Sequence, residues 1–181
     1  MVELSALSIA GAWLFTSDAH NDSRGFFREW FKSEEFELTT GKRFAIAQAN
    51  LSLSNRGVVR GIHFSTAPLG QAKWVTCAYG SLLDIVVDIR PESPTFKRWE
   101  AVELTARNGK SIFISEGLGH AFISLEDNSV VTYLLSTPYD PEYEKTINPL
   151  DPEIAITWPN INLSFSDRDR DAPSLGDYLA I

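Results

Sequence analysis

Short runs of alternating apolar and polar residues, each cut off by turn-forming residues, constrain this chain more than any other feature. In L-D-I-V-V-D-I at 83–89, Leu83, Ile85, Val87 and Ile89 fall on one side and Asp84, Val86 and Asp88 on the other. Successive side chains of a strand point to opposite faces, so such a run predicts a strand with two unlike surfaces. Comparable runs occupy about residues 12–17, 26–31, 45–53, 57–64, 71–78, 99–105, 111–115, 120–125 and 129–136. Turn residues stand between many of them: Y-G at 79–80, R-P-E-S-P at 90–94, N-G at 108–109 and E-D-N at 126–128. Helical signals are few. Ser33 is an N-cap candidate for E-E-F-E-L with Gly41 as its stop, and the tail from Pro173 offers a last turn. Many antiparallel strands with little helix predict an all-β sandwich or barrel, specifically a jelly roll.

Composition narrows the class. With 181 residues, 44% hydrophobic and 22% charged, and no repeat or linker-like tract, one soluble domain spanning 1–181 is expected. The N-terminal stretch carries Glu3 and lacks a basic leading region, so it does not read as a signal peptide. No apolar run is long enough to cross a bilayer. Cys77 is the sole cysteine, which excludes an intramolecular disulfide and a multi-cysteine metal site and points to the cytoplasm. A net charge of −8 argues against a nucleic-acid partner. A small anionic ligand would instead need a few Arg and Lys gathered locally.

Polar residues placed inside strands are the candidates for chemistry. In A-I-A-Q-A-N-L-S-L-S at 45–54, Gln48, Asn50, Ser52 and Ser54 share one face and Ala45, Ala47, Ala49, Leu51 and Leu53 the other. That polar face is either a solvated exterior or the lining of a ligand-holding barrel. G-V-V-R-G-I-H-F at 57–64 sets Arg60 and His63 in an apolar, β-branched run. The positions two before and two after His63 are Gly61 and Ser65, so no His-x-His pair is present, and no metal site is expected. A histidine base without a metal needs a carboxylate partner. The densest carboxylate cluster is S-F-S-D-R-D-R-D-A-P at 164–173, which by itself reads as a solvated loop. Arg24, Arg60 and Lys73, flanked by Gly, aromatic and β-branched residues, form a basic set that an anionic ligand would satisfy.

Taken in order, D-S-R-G-F-F-R-E-W, Q-A-N…S-N-R-G-V-V-R-G-I-H-F, Q-A-K-W-V, D-I-R-P-E-S-P-T-F-K-R-W, G-L-G-H-A-F, V-T-Y-L-L-S-T-P-Y-D-P-E-Y-E and L-D-P-E-I-A-I-T-W-P resemble the dTDP-4-dehydrorhamnose 3,5-epimerase family from about residue 10 to about residue 173. The resemblance implies a cupin-like jelly-roll barrel with a few short helices. It further implies a homodimer, no metal or other cofactor, and a dTDP-4-keto-6-deoxyhexose substrate. In that pattern His63 is the general base, Asp169 its carboxylate partner, Tyr133 the acid on the other face and Lys73 the cation near the C4 oxyanion. Arg24, Arg60 and Arg168 resemble contacts to diphosphate and nucleotide. Glu29, Gln48, Asn50, His120 and Glu144 resemble further substrate contacts, with Tyr139 stacking on the ligand and Phe26 or Phe27 packing nearby. The polar face of Gln48 and Asn50 is then expected to point inward.

This chain departs from many members at Ser65, where they carry Gln, and at Trp74, where smaller or phenolic residues are common. The leading reading is 3,5-epimerisation of dTDP-4-dehydro-6-deoxy-D-glucose to dTDP-4-dehydro-L-rhamnose. Its alternatives are a C3-only or C5-only epimerase of an antibiotic deoxysugar pathway, a non-catalytic nucleotide-sugar-binding cupin, and a metal-dependent cupin oxygenase. One geometric expectation follows from residues 57–64. Arg60 and His63 lie three apart and would face opposite ways on a regular strand, so a bulge at Gly61 is predicted to turn both into one pocket.

Overall fold

A computed structural model describes residues 3–66, 68 and 70–180. Its strands are β1 (Glu3–Ala6), β2 (Ala12–Thr16), β3 (His20–Asp22), β4 (Gly25–Phe27), β5 (Gln48–Ser54), β6 (Val59–Ser65), β7 (Lys73–Tyr79), β8 (Ser81–Asp88), β9 (Trp99–Thr105), β10 (Lys110–Ile114), β11 (Leu118–Ser124), β12 (Ser129–Leu135) and β13 (Glu144–Thr146). Three short helices complete it: α1 (Ser33–Thr40), α2 (Asp167–Arg170) and α3 (Leu175–Leu179). One sheet runs β1-β2-β10-β7-β12-β5, a second runs β13-β6-β11-β8-β9, and β3 pairs with β4 as a separate hairpin. The ladders are antiparallel. This is the expected all-β, cupin-like architecture.

Three apolar clusters hold the layers together. Between the sheets lie Val75, Leu82, Val86, Leu104, Ile112, Phe122 and Val131. Outside the five-stranded sheet, Ile62, Ile85, Val87 and Ala121 pack against Ile147, Ile154 and Leu175 of α3. Outside the six-stranded sheet, Phe15, Trp74 and Phe113 pack against Phe36 of α1 and Phe44. Each fully buried aliphatic side chain here contributes about 1.5–3 kcal/mol. Residues 83–89 are therefore covered on both faces, and it is the face bearing Asp84 and Asp88 that looks into the barrel. Asp88 is satisfied there by Arg90, Ser93 and Thr95.

Several local expectations need adjustment. Helix α1 starts at Ser33 itself, with Lys32 in the N-cap position and no side-chain cap, while Gly41 ends it in the left-handed region (φ 67°) as expected. Residues 28–31 leave the strand because Trp30 and Phe31 turn to pack on the aromatic cluster outside the sheet. Strands β1, β3 and β13 have no two-faced pattern long enough to read. The charged run at 164–173 includes a helix, α2, whose N-cap Ser166 accepts the Asp169 N–H at 3.1 Å. Trp74 points away from the barrel interior, against Phe15 and Phe31, so its departure from the family pattern lies behind the sheet.

Candidate active site

A cleft of about 170 Å³ opens between the two sheets, lined by Asn50, Ser52, Arg60, His63, Gln71, Lys73, His120, Phe122, Tyr133, Leu135, Tyr139 and Glu144. The period-two rule explains its polar wall. On edge strand β5, Asn50 and Ser52 face the cleft, whereas Leu51 and Leu53 on the opposite face are 66% and 54% exposed. The inward orientation expected of that polar face is what the fold contains. Gln48 does not line the cleft; its amide donates to Asn50 Oδ1 at 2.8 Å, and its Oε1 accepts the Tyr139 N–H at 2.8 Å. It thus braces two residues that do line the cleft.

Strand β6 carries the predicted irregularity. His63 pairs with His120 and Arg60 with Phe122, so three steps on β6 match two on β11. The extra residue lets Arg60 and His63 line the same cleft. Gly61 is required at that point. Its φ is +134°, and a Cβ there would lie 2.4 Å from the Ala121 Cβ and 2.7 Å from the His120 carbonyl oxygen. At the mouth, the Arg60 Nε donates to Ser54 Oγ at 3.1 Å and its Nη2 to the Leu53 carbonyl at 3.3 Å, bridging the sheets.

His63 and Asp169 lie 106 residues apart yet meet at 2.7 Å, His63 Nε2 to Asp169 Oδ1. Helix α2 brings the carboxylate in behind the ring, where Asp169 Oδ2 also accepts the Gly61 N–H at 3.4 Å. Burial alone would raise the Asp169 pKa, but the hydrogen bond and charge of His63 and the Gly61 amide together hold it below the usual carboxylate range. With Nε2 engaged, Nδ1 is the nitrogen left to accept a proton.

The other sheet supplies Lys73 and Tyr133, on neighbouring strands β7 and β12. Lys73 is buried, and its Nζ donates to the His63 carbonyl at 3.3 Å. Burial pushes its pKa below the ordinary lysine value, against the opposing pull of the Glu144 and Asp84 charges. A cation in a dry pocket is well suited to stabilise an oxyanion. Tyr133 faces the cleft from the sheet opposite His63, so acid and base candidates stand on different walls.

Other sequence candidates fall elsewhere. Arg24, Phe26 and Phe27 sit on the exposed β3–β4 hairpin, with Arg24 held by Asp22 at 2.5 Å, and none of them lines this cleft. Glu29 follows that hairpin and pairs with Lys32 at 2.6 Å. Arg168, on α2, donates to Thr146 Oγ1 at 3.1 Å and to the Glu144 carbonyl, beside the cleft without lining it. Ser52, named only as part of the polar face of 45–54, and Gln71, Phe122 and Leu135, not singled out at all, also line the cleft. Each lies two residues from a singled-out one (Asn50, Lys73, His120, Tyr133), so the strand period would have found them. Among the described residues no group of three or more His, Cys, Asp or Glu is placed to hold a metal.

Comparison with known proteins places this geometry. The family model described as dTDP-4-dehydrorhamnose 3,5-epimerase matches residues 6–177. A dTDP-4-dehydrorhamnose 3,5-epimerase of Mycolicibacterium smegmatis is 52% identical over 175 residues, covering 96% of this chain and 86% of that protein. A dTDP-4-dehydro-6-deoxyglucose 3-epimerase of a Streptomyces species is 47% identical, covering 93% and 87%. Among solved structures, NovW of Streptomyces spheroides, a 4-keto-6-deoxy sugar epimerase from the novobiocin biosynthetic gene cluster, superposes with a TM-score of 0.96 at 43% identity, covering 99% of this chain and 90% of that one.

Proposed function

The chain belongs to the dTDP-4-dehydrorhamnose 3,5-epimerase family, and from that premise we propose that it epimerises a dTDP-4-dehydro-6-deoxyhexose at C3 and C5, giving dTDP-4-dehydro-L-rhamnose. The observation that carries this reading is a single cleft with a His–Asp pair on one wall and a lysine and a phenol on the other. His63 takes the proton from a carbon next to the C4 ketone, and Asp169 stabilises the imidazolium that forms. The electron pair of the broken C–H bond moves onto the C4 oxygen, where the Lys73 ammonium offsets the charge. Tyr133 returns a proton to the opposite face, and exchange with solvent restores both groups.

Arg60 and Arg168 at the mouth suit the diphosphate, Tyr139 the thymine ring, and Asn50, His120 and Glu144 the sugar. The enzyme works as one cupin-like domain, needs no cofactor and is cytoplasmic; the free, buried Cys77 thiol fits a reducing compartment. A homodimer completes the substrate site in this reading. Leu51, Leu53 and Tyr79 leave an exposed apolar surface near the edge strand β5, which a second copy would cover. Its β3–β4 hairpin would then bring Arg24, Phe26, Phe27 and Glu29 to this cleft.

Incubation with the keto-sugar in deuterated water, followed by NMR, tests the reading. Label at both C3 and C5 is expected. Label at C3 alone establishes the second reading, which the 3-epimerase relative favours; label at C5 alone establishes a C5 epimerase. No label at either carbon overturns the enzyme.

A further inference from the structure

Asp84 has no part in the reaction above, yet its setting is costly. It lies on the barrel-facing side of β8, fully buried (0% exposed), with Leu82 and Val86 as its neighbours on that face. Its Oδ2 is 2.8 Å from His120 Nε2, and its Oδ1 has no hydrogen-bond partner. A buried carboxylate with a bare oxygen is a poor way to stabilise a barrel that an aliphatic side chain would fill better. Its one hydrogen-bond partner, however, lines the cleft, directly opposite His63 in the β6–β11 ladder, while its charge also acts on Lys73.

A carboxylate only accepts hydrogen bonds, so the ring nitrogen facing it is a donor. Neutral His120 is thereby held with the proton on Nε2 and the lone pair on Nδ1. Lys73 and Arg60 already bring donors to the cleft; an acceptor beside them complements a hydroxyl group. We propose that Asp84 is a positioning residue for the epimerisation, locking the His120 ring so that Nδ1 accepts a hydrogen bond from a hydroxyl of the bound sugar and orients the ring over His63. The proposal rests on the epimerase reading for its consequence, but its first step concerns the ligand-free protein.

Two measurements test it. In the unliganded wild type, ring 15N shifts should show His120 protonated at Nε2, and Asp84→Asn should change those shifts while leaving those of His63 in place. In kinetics, Asp84→Asn should lower kcat/KM for the keto-sugar about tenfold, the scale of one lost hydrogen bond, with dTDP affinity unchanged. In a His120→Ala background the same substitution should cost almost nothing more. A wild-type ring protonated at Nδ1 alone overturns the proposal, as does a full further loss in the His120→Ala background, which would mark a carboxylate acting on the fold or on the Lys73 charge instead of on His120. Should Asp84→Asn fail to fold, the wild-type tautomer decides. A wild type without deuterium exchange would instead defeat the epimerase reading and leave the tautomer result standing.

Discussion

Two histidine–carboxylate pairs sit side by side in this cleft, and they are built differently. His63–Asp169 and His120–Asp84 both join through Nε2, at 2.7 and 2.8 Å, and the two rings are register partners across β6 and β11. Asp169 rides on a helix, accepts the Gly61 amide as well as the ring, and is held below the usual carboxylate range. Asp84 stands in the middle of a strand with one oxygen bare. His63 is 28% exposed at the side chain and His120 10%. The same residue types are thus set in two different ways: a supported carboxylate beside an accessible ring suits a base that must carry positive charge, and a bare one behind a buried ring suits orientation.

The largest expected break in that comparison is His63→Ala, which should lower kcat about 10⁴-fold and abolish deuterium wash-in, with the fold intact by circular dichroism and dTDP binding retained by calorimetry. His120→Ala losing as much would erase the distinction between the pairs. Next, Asp169→Asn should cost about 10³ in kcat by releasing the ring's tautomer and removing the counter-charge, far more than the tenfold expected at Asp84.

Gly61→Ala attacks the first pair through its backbone. The positive φ and the 2.4 Å approach to Ala121 should cost about 3 kcal/mol, read as a lower Tm; an unchanged Tm would mean that the bulge is dispensable. Tyr133→Phe sharpens the roles from the other wall. Net inversion should fall about 10²-fold while proton abstraction, read as isotope exchange, falls less. If inversion survives, the second-face acid is not Tyr133.

The smallest effect is on acid stability. Because the folded Asp169 pKa is depressed, its contribution is fully present above the unfolded value of about 3.9 and is lost as pH falls through the folded value. Asp169→Asn should therefore flatten the pH dependence of urea-induced unfolding below about pH 4. Asp88 behaves alike. Burial would raise its pKa, yet hydrogen bonds from Arg90, Ser93 and Thr95 hold it at about 2. It thus keeps part of the acid sensitivity in either background, so the comparison is of slopes.

Legibility in the sequence followed the range of the interaction. Among the described residues, the nine strands of five or more residues show as alternation because a strand's two faces are set by neighbours two residues apart. Strands of three residues, such as β3 and β13, are too short for a period, and their positions depend on what they pair with. The S-D-R-D run looks like a solvated loop because its charges are local, whereas the burial of Asp169 comes from a partner 106 residues away.

By itself, then, the order of residues determined the all-β class, the two unlike faces of β5, the need for an irregularity at Gly61, and a specific family pattern. Those are properties of dihedral preference and spacing, which act over a few residues. Only the tertiary structure decided that Asp84 stands behind His120, that Gln48 braces the lining, and that the Arg24 hairpin lies apart from the cleft of its own chain. Those outcomes depend on which strands become neighbours, and that is set by burying apolar surface across the whole barrel rather than by any segment within it.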